Sequence, residues 1–315
     1  MKILTFSTLY PNEVKPGHGI FVETRLRHLV ASGQVESRVV APVPWFPVSH
    51  HRFGKYAAYA AVPREEVRSG IKVLHPRYPV LPRIGMTVAP LLLANAVKPA
   101  VARLIDEGFD FDLIDAHYFY PDGVAAAMLA KYFNKPLVIT ARGSDITLFP
   151  QYRLPRKMIQ WAARRADGII TVCNALRDEM LTLGVDPARV TSLRNGVDLG
   201  LFHPVDRAEV RARLGLDSFT LLAVGHLVPV KAQELAVAAL RHLPGVRLLI
   251  AGNGPNRQML VDLARAERVS DRVTLLGAVP QAALREYYGA ADALVLPSER
   301  EGWANVLLES MACGT

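Results

Sequence analysis

Two glutamates eight positions apart, Glu301 and Glu309, stand where carboxylates could do chemistry. The apolar run Ala293 to Leu296 ends at Pro297 and reads as a buried strand, and Ala304 to Cys313 is rich in helix formers and closed by Gly314. Between strand and helix, Gly302 leads into Trp303, Ala304, Asn305 and Val306, whose backbone N–H groups open the helix. Unpaired amides at a helix start suit a phosphate. Glu301 lies in the loop, whereas Glu309 lies among Val306, Leu307, Leu308, Met311 and Ala312, where an unpaired charge is expensive; it is expected to face a polar cleft. The plainer alternative is one solvated loop carboxylate and one on a helix surface.

Other candidates sit at strand ends, where ligands bind in open α/β sheets. His117 closes a strand over Phe111–His117, and a structurally satisfied histidine is the competing explanation. Arg142 follows the strand Leu137–Thr140 in Arg142-Gly143-Ser144-Asp145; it could bind a phosphate, with Asp145 as a cap for the next segment. Gly17 and Gly19 lie between a first strand, Lys2–Leu9, and a helix, Ile20–Ser32, with Phe21, Leu26 and Leu29 as core positions; they allow close backbone approach. In the second half, strands Thr220–Val224, Val246–Ala251 and Arg272–Leu276 each run into a glycine loop. The loops are Gly225 to Lys231, containing His226, then Gly252-Asn253-Gly254-Pro255, then Gly277-Ala278-Val279-Pro280.

The elements that position these residues alternate strand and helix. Further strands are expected over Glu36–Val43, Ile71–His75, Gly168–Val172 and Val190–Leu193, so that six or so strands make the first domain. Helices are expected over Met86–Ile105, Val124–Phe133 and Pro155–Ala166, and from Asn174. In the second half they are expected over about Ala232–Leu240, Asn256–Ala266 and Gln281–Gly289. The chain has 315 residues, half of them hydrophobic, which allows two buried cores. Its formal charge of +8 is uneven: residues 1–195 carry +9 and residues 196–315 carry −1, which with Asn195-Gly196 marks a boundary near 196. A basic first half suits a solvated surface, an anionic membrane or an anionic acceptor, and no nucleic-acid module is recognisable.

Two cysteines, Cys173 and Cys313, give neither a metal spacing nor a disulfide framework, in keeping with a reducing compartment. The N-terminus breaks at Pro11-Asn12 without a cleavage site and reads as a strand. The longest apolar run, Met86 to Val97, contains Pro90 and Asn95 and is too short to span a bilayer. Pro44 to Tyr56 is irregular, aromatic and basic, so Trp45 and Phe46 are either buried or contact an acceptor or membrane. His50-His51 has no further ligand at metal spacing.

The run Pro297-Ser298-x-x-Glu301-Gly302-x-x-x-x-Leu307-Leu308-Glu309-x-Met311-Ala312-Cys313-Gly314-Thr315 resembles the Glu-x7-Glu signature of retaining glycosyltransferases of family 4, similar to those that build bacterial cell-surface polysaccharides. The resemblance implies an α/β protein of GT-B fold, two doubly wound Rossmann-like domains facing across a cleft. Residues 1–195 would be the acceptor-side domain and 196–315 the nucleotide-sugar-binding domain. Family members continue beyond the equivalent of Thr315, so the second domain is expected to be incomplete and the sequence truncated at its C-terminal end.

By the same resemblance Gly17 and Gly19 form the N-terminal glycine loop, and His117 lies beside the donor sugar. Lys231 binds the donor diphosphate, and His226 stands where arginine is usual. Asn253, Gly254 and Val279 lie in loops approaching the nucleoside, Glu309 holds the ribose and Glu301 faces the sugar. The donor is a nucleotide-sugar of UDP or GDP type, and the acceptor a growing surface glycan or a lipid-linked precursor. The location is cytoplasmic or peripheral at the inner face of the membrane. By the resemblance neither a metal nor a further cofactor is implied. A dinucleotide oxidoreductase fails because Gly252-x-Gly254-x-x-Arg257 lacks its third glycine. A non-catalytic GT-B relic that binds a sugar nucleotide or a membrane is the remaining alternative.

Overall fold

The computed structural model describes residues 1–46, 50, 52, 55–81 and 85–315. The chain divides into two compact units, Met1–Arg194 and Asn195–Thr315, each built on its own sheet.

The first unit runs β1 (Lys2–Phe6), α1 (Ile20–Ala31), β2 (Glu36–Val40), β3 (Val43–Pro44), α2 (Lys55–Ala61), β4 (Glu65–Arg68), β5 (Ile71–Leu74), β6 (Arg77–Tyr78) and α3 (Gly85–Asp106). It continues with β7 (Leu113–His117), α4 (Val124–Phe133), β8 (Leu137–Ala141), α5 (Ser144–Thr147), α6 (Arg153–Arg165), β9 (Gly168–Thr171), α7 (Asn174–Thr182) and β10 (Val190–Ser192). Eight strands form one sheet in the order β10-β9-β8-β7-β1-β2-β5-β4, while β3 and β6 pair separately. All neighbours in the large sheet are parallel except β4, which runs antiparallel to β5. This exceeds the six strands expected. The missed strand, Glu65-Glu66-Val67-Arg68, is charged because it is an edge, where alternating exposure replaces an apolar run.

The central strands are buried on both faces: Leu4 and Phe6 of β1 and Ile114 and Ala116 of β7 form an apolar face, while the other face buries Ile3 and Thr5 of β1 and Asp115 and His117 of β7. From β1 the chain moves outward through β2 and β5, then returns to place β7 on the other side of β1 and moves outward the opposite way. The loops after β1 and β7 therefore diverge, and a crevice is left at their carboxyl ends. Helix α3 extends the apolar run well past Val97, so its 22 residues are long and apolar enough to cross a membrane by length and composition. This corrects the expectation of a run too short. The helix turns Pro90, Leu93, Ala94, Val97, Val101 and Leu104 inward and packs against α4 and α6. Trp45 is 56% exposed, so it is not a buried loop residue, and Phe46 is half-buried. His51 and the neighbouring residues 47–49 and 53–54 lie outside the described residues.

The second unit runs α8 (Arg207–Leu214), β11 (Thr220–Val224), α9 (Gln233–Ala239), β12 (Arg247–Ala251), α10 (Arg257–Ala266), β13 (Val273–Gly277), α11 (Gln281–Ala290), β14 (Ala293–Leu294) and α12 (Asn305–Ala312). Its four strands are parallel in the order β13-β12-β11-β14. Successive residues of β11 serve opposite faces, as the two-residue period demands. Leu222 and Val224 pack with Val210 of α8 and Leu284 and Tyr288 of α11. Ala223 packs with Val237 of α9 and Leu260 of α10. Here the direction reverses between β11 and β14, which sets a second crevice at their carboxyl ends.

Candidate functional site

At the first switch point, β7 carries Asp115 and His117 two residues apart, so both side chains leave the same face of the sheet. His117 is 1% exposed. Arg142, at the end of β8, donates from Nη2 to His117 Nδ1 at 2.8 Å. Asp115 Oδ2 lies 3.2 Å from His117 Nε2 and accepts from Arg25 Nη1 of α1 at 3.1 Å. Arg25 Nη1 also stands 3.1 Å from Nε2; with Nδ1 accepting from Arg142, Nε2 carries the hydrogen and turns it to Asp115 rather than to Arg25. The ring is then neutral. Burial pushes its pKa down to about 4, with Asp115 pulling up and Arg142 pushing down. Burial works against the Asp115 carboxylate, yet His117, Arg25 and Arg142 hold it well below the usual range. Burial, with Arg25 nearby, brings Arg142 down to about 10, still cationic at neutral pH. Its guanidinium lies 5.0 Å from the Phe21 ring centroid.

The loops around this cluster are tied by carboxylates. Asp145 accepts from the backbone N–H of Phe119 and Gly143, both at 2.6 Å, and from that of Arg142 at 3.0 Å. It thus joins the loops after β7 and β8, rather than capping the short helix α5, whose N-cap is Gly143. Tyr118, next to His117, is held at φ +81, a conformation unfavourable for a side-chain-bearing residue. Its N–H bonds Thr140 O at 3.0 Å and its hydroxyl meets Ser144 Oγ at 2.6 Å. Strain retained beside a polar cluster at a strand end is a feature of functional sites. Asp122, wholly buried, accepts from Thr8 N at 2.5 Å and Thr8 Oγ1 at 2.9 Å, and burial pushes it up to about 7.

In the second unit Lys231 Nζ and Glu301 Oε1 meet at 2.5 Å, with side chains 24% and 26% exposed. Backbone geometry sets this meeting, because Glu299 N donates to Val230 O at 3.0 Å and so ties the turn after β11 to the loop after β14. The helix start follows at once, and Asn305 Oδ1 accepts from Asn195 Nδ2 at 3.0 Å. Three glycine loops are zipped beside it: Leu227 N bonds Asn253 O at 3.0 Å, and Gly252 N bonds Gly277 O at 2.7 Å. A Cβ at Gly254 would stand 2.3 Å from the Leu227 carbonyl oxygen, so any side chain there would push the loops apart.

Glu309 departs from expectation. It is 9% exposed, and its carboxylate accepts from Tyr288 Oη at 2.8 Å and Gln281 Nε2 at 3.4 Å. Two side chains of α11 supply polar surroundings to it. Burial pushes its pKa up, and those two donors pull it back down.

The structure thus gathers the expected residues into two groups, His117 with Arg142 and Lys231 with Glu301. Asp115 and Arg25 were not anticipated. An Asp-x-His pair on one strand face was a readable signal for the former, while Arg25, in the middle of an amphipathic helix, carried none. His117, expected beside the donor sugar as a catalytic residue by the family resemblance, has both ring nitrogens engaged, so it fixes its neighbours rather than offering a free lone pair. Gly19 turns at φ +66 with its Cβ position 2.3 Å from Leu9 O, so its close approach is to the chain itself, and Gly17 is exposed with open space around it. His226 and Asn253 are exposed, and Val279 packs on the core that holds Leu284 and Tyr288.

Two Rossmann-like units with these switch points define the GT-B class of fold, and solved structures agree. Sucrose-phosphate synthase from Thermosynechococcus elongatus matches over all of this chain and 80% of its own, with TM-score 0.79 and 21% identity. Anabaena HepE, solved with UDP and glucose, matches over all of this chain and 79% of its own, with TM-score 0.72 and 20% identity. Residues 17–201 match the family model described as Glycosyltransferase Family 4, and residues 206–315 match that described as Glycosyl transferases group 1. The chain belongs to this glycosyltransferase family. It is 31% identical to the putative teichuronic acid biosynthesis glycosyltransferase TuaC of Bacillus subtilis, over 99% of this chain and 79% of that protein. It is 34% identical to a D-inositol 3-phosphate glycosyltransferase of Mycobacteroides abscessus, over 68% of this chain and about half (52%) of that relative's length.

Proposed function

We propose that the protein transfers a sugar from a nucleotide-sugar of UDP or GDP type to a growing surface glycan or its lipid-linked precursor, with retention of configuration. The observation that carries this reading is the Lys231–Glu301 pair, held at a sheet switch point by the Glu299–Val230 backbone bond and followed directly by the start of α12. As a glycosyl bond to a diphosphate breaks, negative charge builds on the leaving oxygens, and fixed cations and amides aimed there lower the barrier. Lys231 would supply the cation and the amides at 303–306 the dipole. Displaced from Lys231 by the diphosphate, Glu301 would turn its carboxylate to the donor sugar's hydroxyls. Glu309, braced by Tyr288 and Gln281, keeps lone pairs for the ribose. In the first unit, Arg142, held by the neutral His117, is the candidate for hydrogen bonds to sugar or acceptor hydroxyls. Support comes from relatives named for glycan and inositol phosphate glycosylation and from a structural neighbour solved with UDP-glucose.

Thermal unfolding with UDP, GDP, ADP and NAD tests the donor site. A nucleoside diphosphate at about a hundred times its dissociation constant adds about 2.7 kcal/mol of stability. UDP or GDP is expected to raise the midpoint and NAD to leave it unchanged; a folded protein indifferent to every nucleoside diphosphate overturns the reading.

A further inference from the structure

The first unit contains a cavity of about 590 Å³ that shares no residue with the His117 cluster. It opens between β5, the segment leading into β6, and the outer half of α3, where Ala96, Pro99 and Ala100 are too small to fill the space. That volume is within the range of small-molecule sites. Three arginines line it, Arg64, Arg77 and Arg103. Their situations differ. Arg103 is neutralised at 3.3 Å by Glu65 and at 3.4 Å by Glu107. Arg64 and Arg77 have no carboxylate partner within ion-pair distance among the described residues. Arg77 donates from Nη2 to the Val62 carbonyl, while its Nη1 is shut off from solvent with no hydrogen-bond partner. Burial pushes the Arg77 pKa down, and the charge of Arg64 adds to that.

His75, also in the lining, offers a ligand no donor, because Nδ1 faces Ala41 O at 2.9 Å and Nε2 faces Glu66 Oε1 at 2.7 Å. Leu74 and Pro76 add apolar surface. Two guanidinium groups without a carboxylate partner, one exposed and one half-buried, leave the lining with positive charge that an anion in the cavity would offset. Guanidinium forks bind carboxylate and phosphate oxygens in pairs.

We infer that this cavity is a binding site for a small oxyanion-bearing ligand, whose carboxylate or phosphate lies against Arg77 and Arg64 while its body rests on Leu74, Pro76 and Ala100. The site is separate from the proposed donor site, since it uses no residue of the second unit. The whole chain is titrated calorimetrically at low ionic strength with inorganic phosphate and with glucuronate, and with glucose as a neutral control. Wild type, Arg64→Gln, Arg77→Gln and Lys231→Gln are compared. At least one anion is expected to bind wild type and Lys231→Gln alike, and glucose neither. Arg64→Gln, at an exposed side chain with no bond to the fold, weakens binding tenfold or more. Arg77→Gln weakens it further, and circular dichroism checks that it is folded. Hydrogen exchange on wild type is expected to slow over residues 62–78 when the anion is added. Tighter binding of phosphate or of glucuronate tells which oxyanion the site is built for. If neither anion binds, if binding survives both arginine substitutions, or if it is lost only in Lys231→Gln, the inference is wrong.

Discussion

The two switch points solve one problem in opposite ways. Around the buried His117 and Asp115 the charged groups compensate one another, with Arg25 reaching in from a side chain 34% exposed: Asp115 answers Arg25 and the imidazole N–H, and the imidazole answers Arg142. Around Lys231 two groups about a quarter exposed compensate each other alone. A buried network is rigid and costly to break, because any loss strands a charge in low dielectric. An open ion pair contributes little to stability and can exchange its partner for a ligand. The first arrangement suits positioning, and the second suits capture and release of a charged substrate.

The sharpest way to break the contrast is to remove the carboxylate at the centre of the buried cluster. Asp115→Ala leaves the buried His117 N–H without its acceptor and Arg25, 34% exposed, without its carboxylate, so the cost is expected at the lower end of the about 3–5 kcal/mol of a buried pair. Denaturant unfolding should show a loss of that size. A loss below about 1 kcal/mol would mean that the cluster is hydrated and that the two switch points do not differ in kind.

A second measurement uses pH. His117 titrates near 4 when folded and near 6.5 when unfolded, so between those values the unfolded chain binds more protons. Its contribution is complete above pH 6.5 and is lost as pH falls toward 4, by about 3 kcal/mol at most. Asp122, pushed up to about 7, works the other way in an overlapping window: the folded chain keeps a proton that the unfolded chain releases, so that share of stability falls as pH rises. The difference between wild type and His117→Gln isolates the histidine, since Asp122 is common to both. Wild type is expected to lose more stability than the variant between pH 6.5 and 4; parallel curves would show that His117 is not held neutral.

How much of this was legible in the sequence depended on whether the information was local. The strands of the second unit and their glycine loops could be read because apolar runs of strand length end in glycine, and Thr220–Val224 has the observed bounds. The edge strand Glu65–Arg68 and helix α8 could not, because Glu65-Glu66-Val67-Arg68 and Arg207-Ala208-Glu209-Val210-Arg211 look like solvated charge until their neighbours are known. The same split runs through the site. Lys231 and Glu301 could be singled out because each sits in a loop with a recognisable signature. The partners of Glu309 could not: Tyr288 and Gln281 lie on an earlier helix, and nothing in their own surroundings marks them as donors to a carboxylate. Arg25 is hidden in the same way, ninety residues from the aspartate it neutralises.

The smallest expected effect on stability separates the two regions from the other side. Lys231 and Glu301 are joined by a single contact, and the backbone bond from Glu299 to Val230 holds their loops together without them. Neither Lys231→Ala nor Glu301→Gln should therefore change unfolding free energy by more than about 1 kcal/mol. Binding should behave differently. In Lys231→Ala the proposed diphosphate site loses its cation, and the UDP-induced rise in thermal midpoint should shrink or vanish. In Glu301→Gln the lysine is released from its carboxylate, so UDP binding is expected to hold or strengthen, while transfer is lost if Glu301 faces the sugar as proposed. A Lys231→Ala protein as unstable as Asp115→Ala would mean that the pair is structural. One that binds UDP as wild type does would remove Lys231 from the donor site and leave the start of α12 as the remaining anchor for the diphosphate.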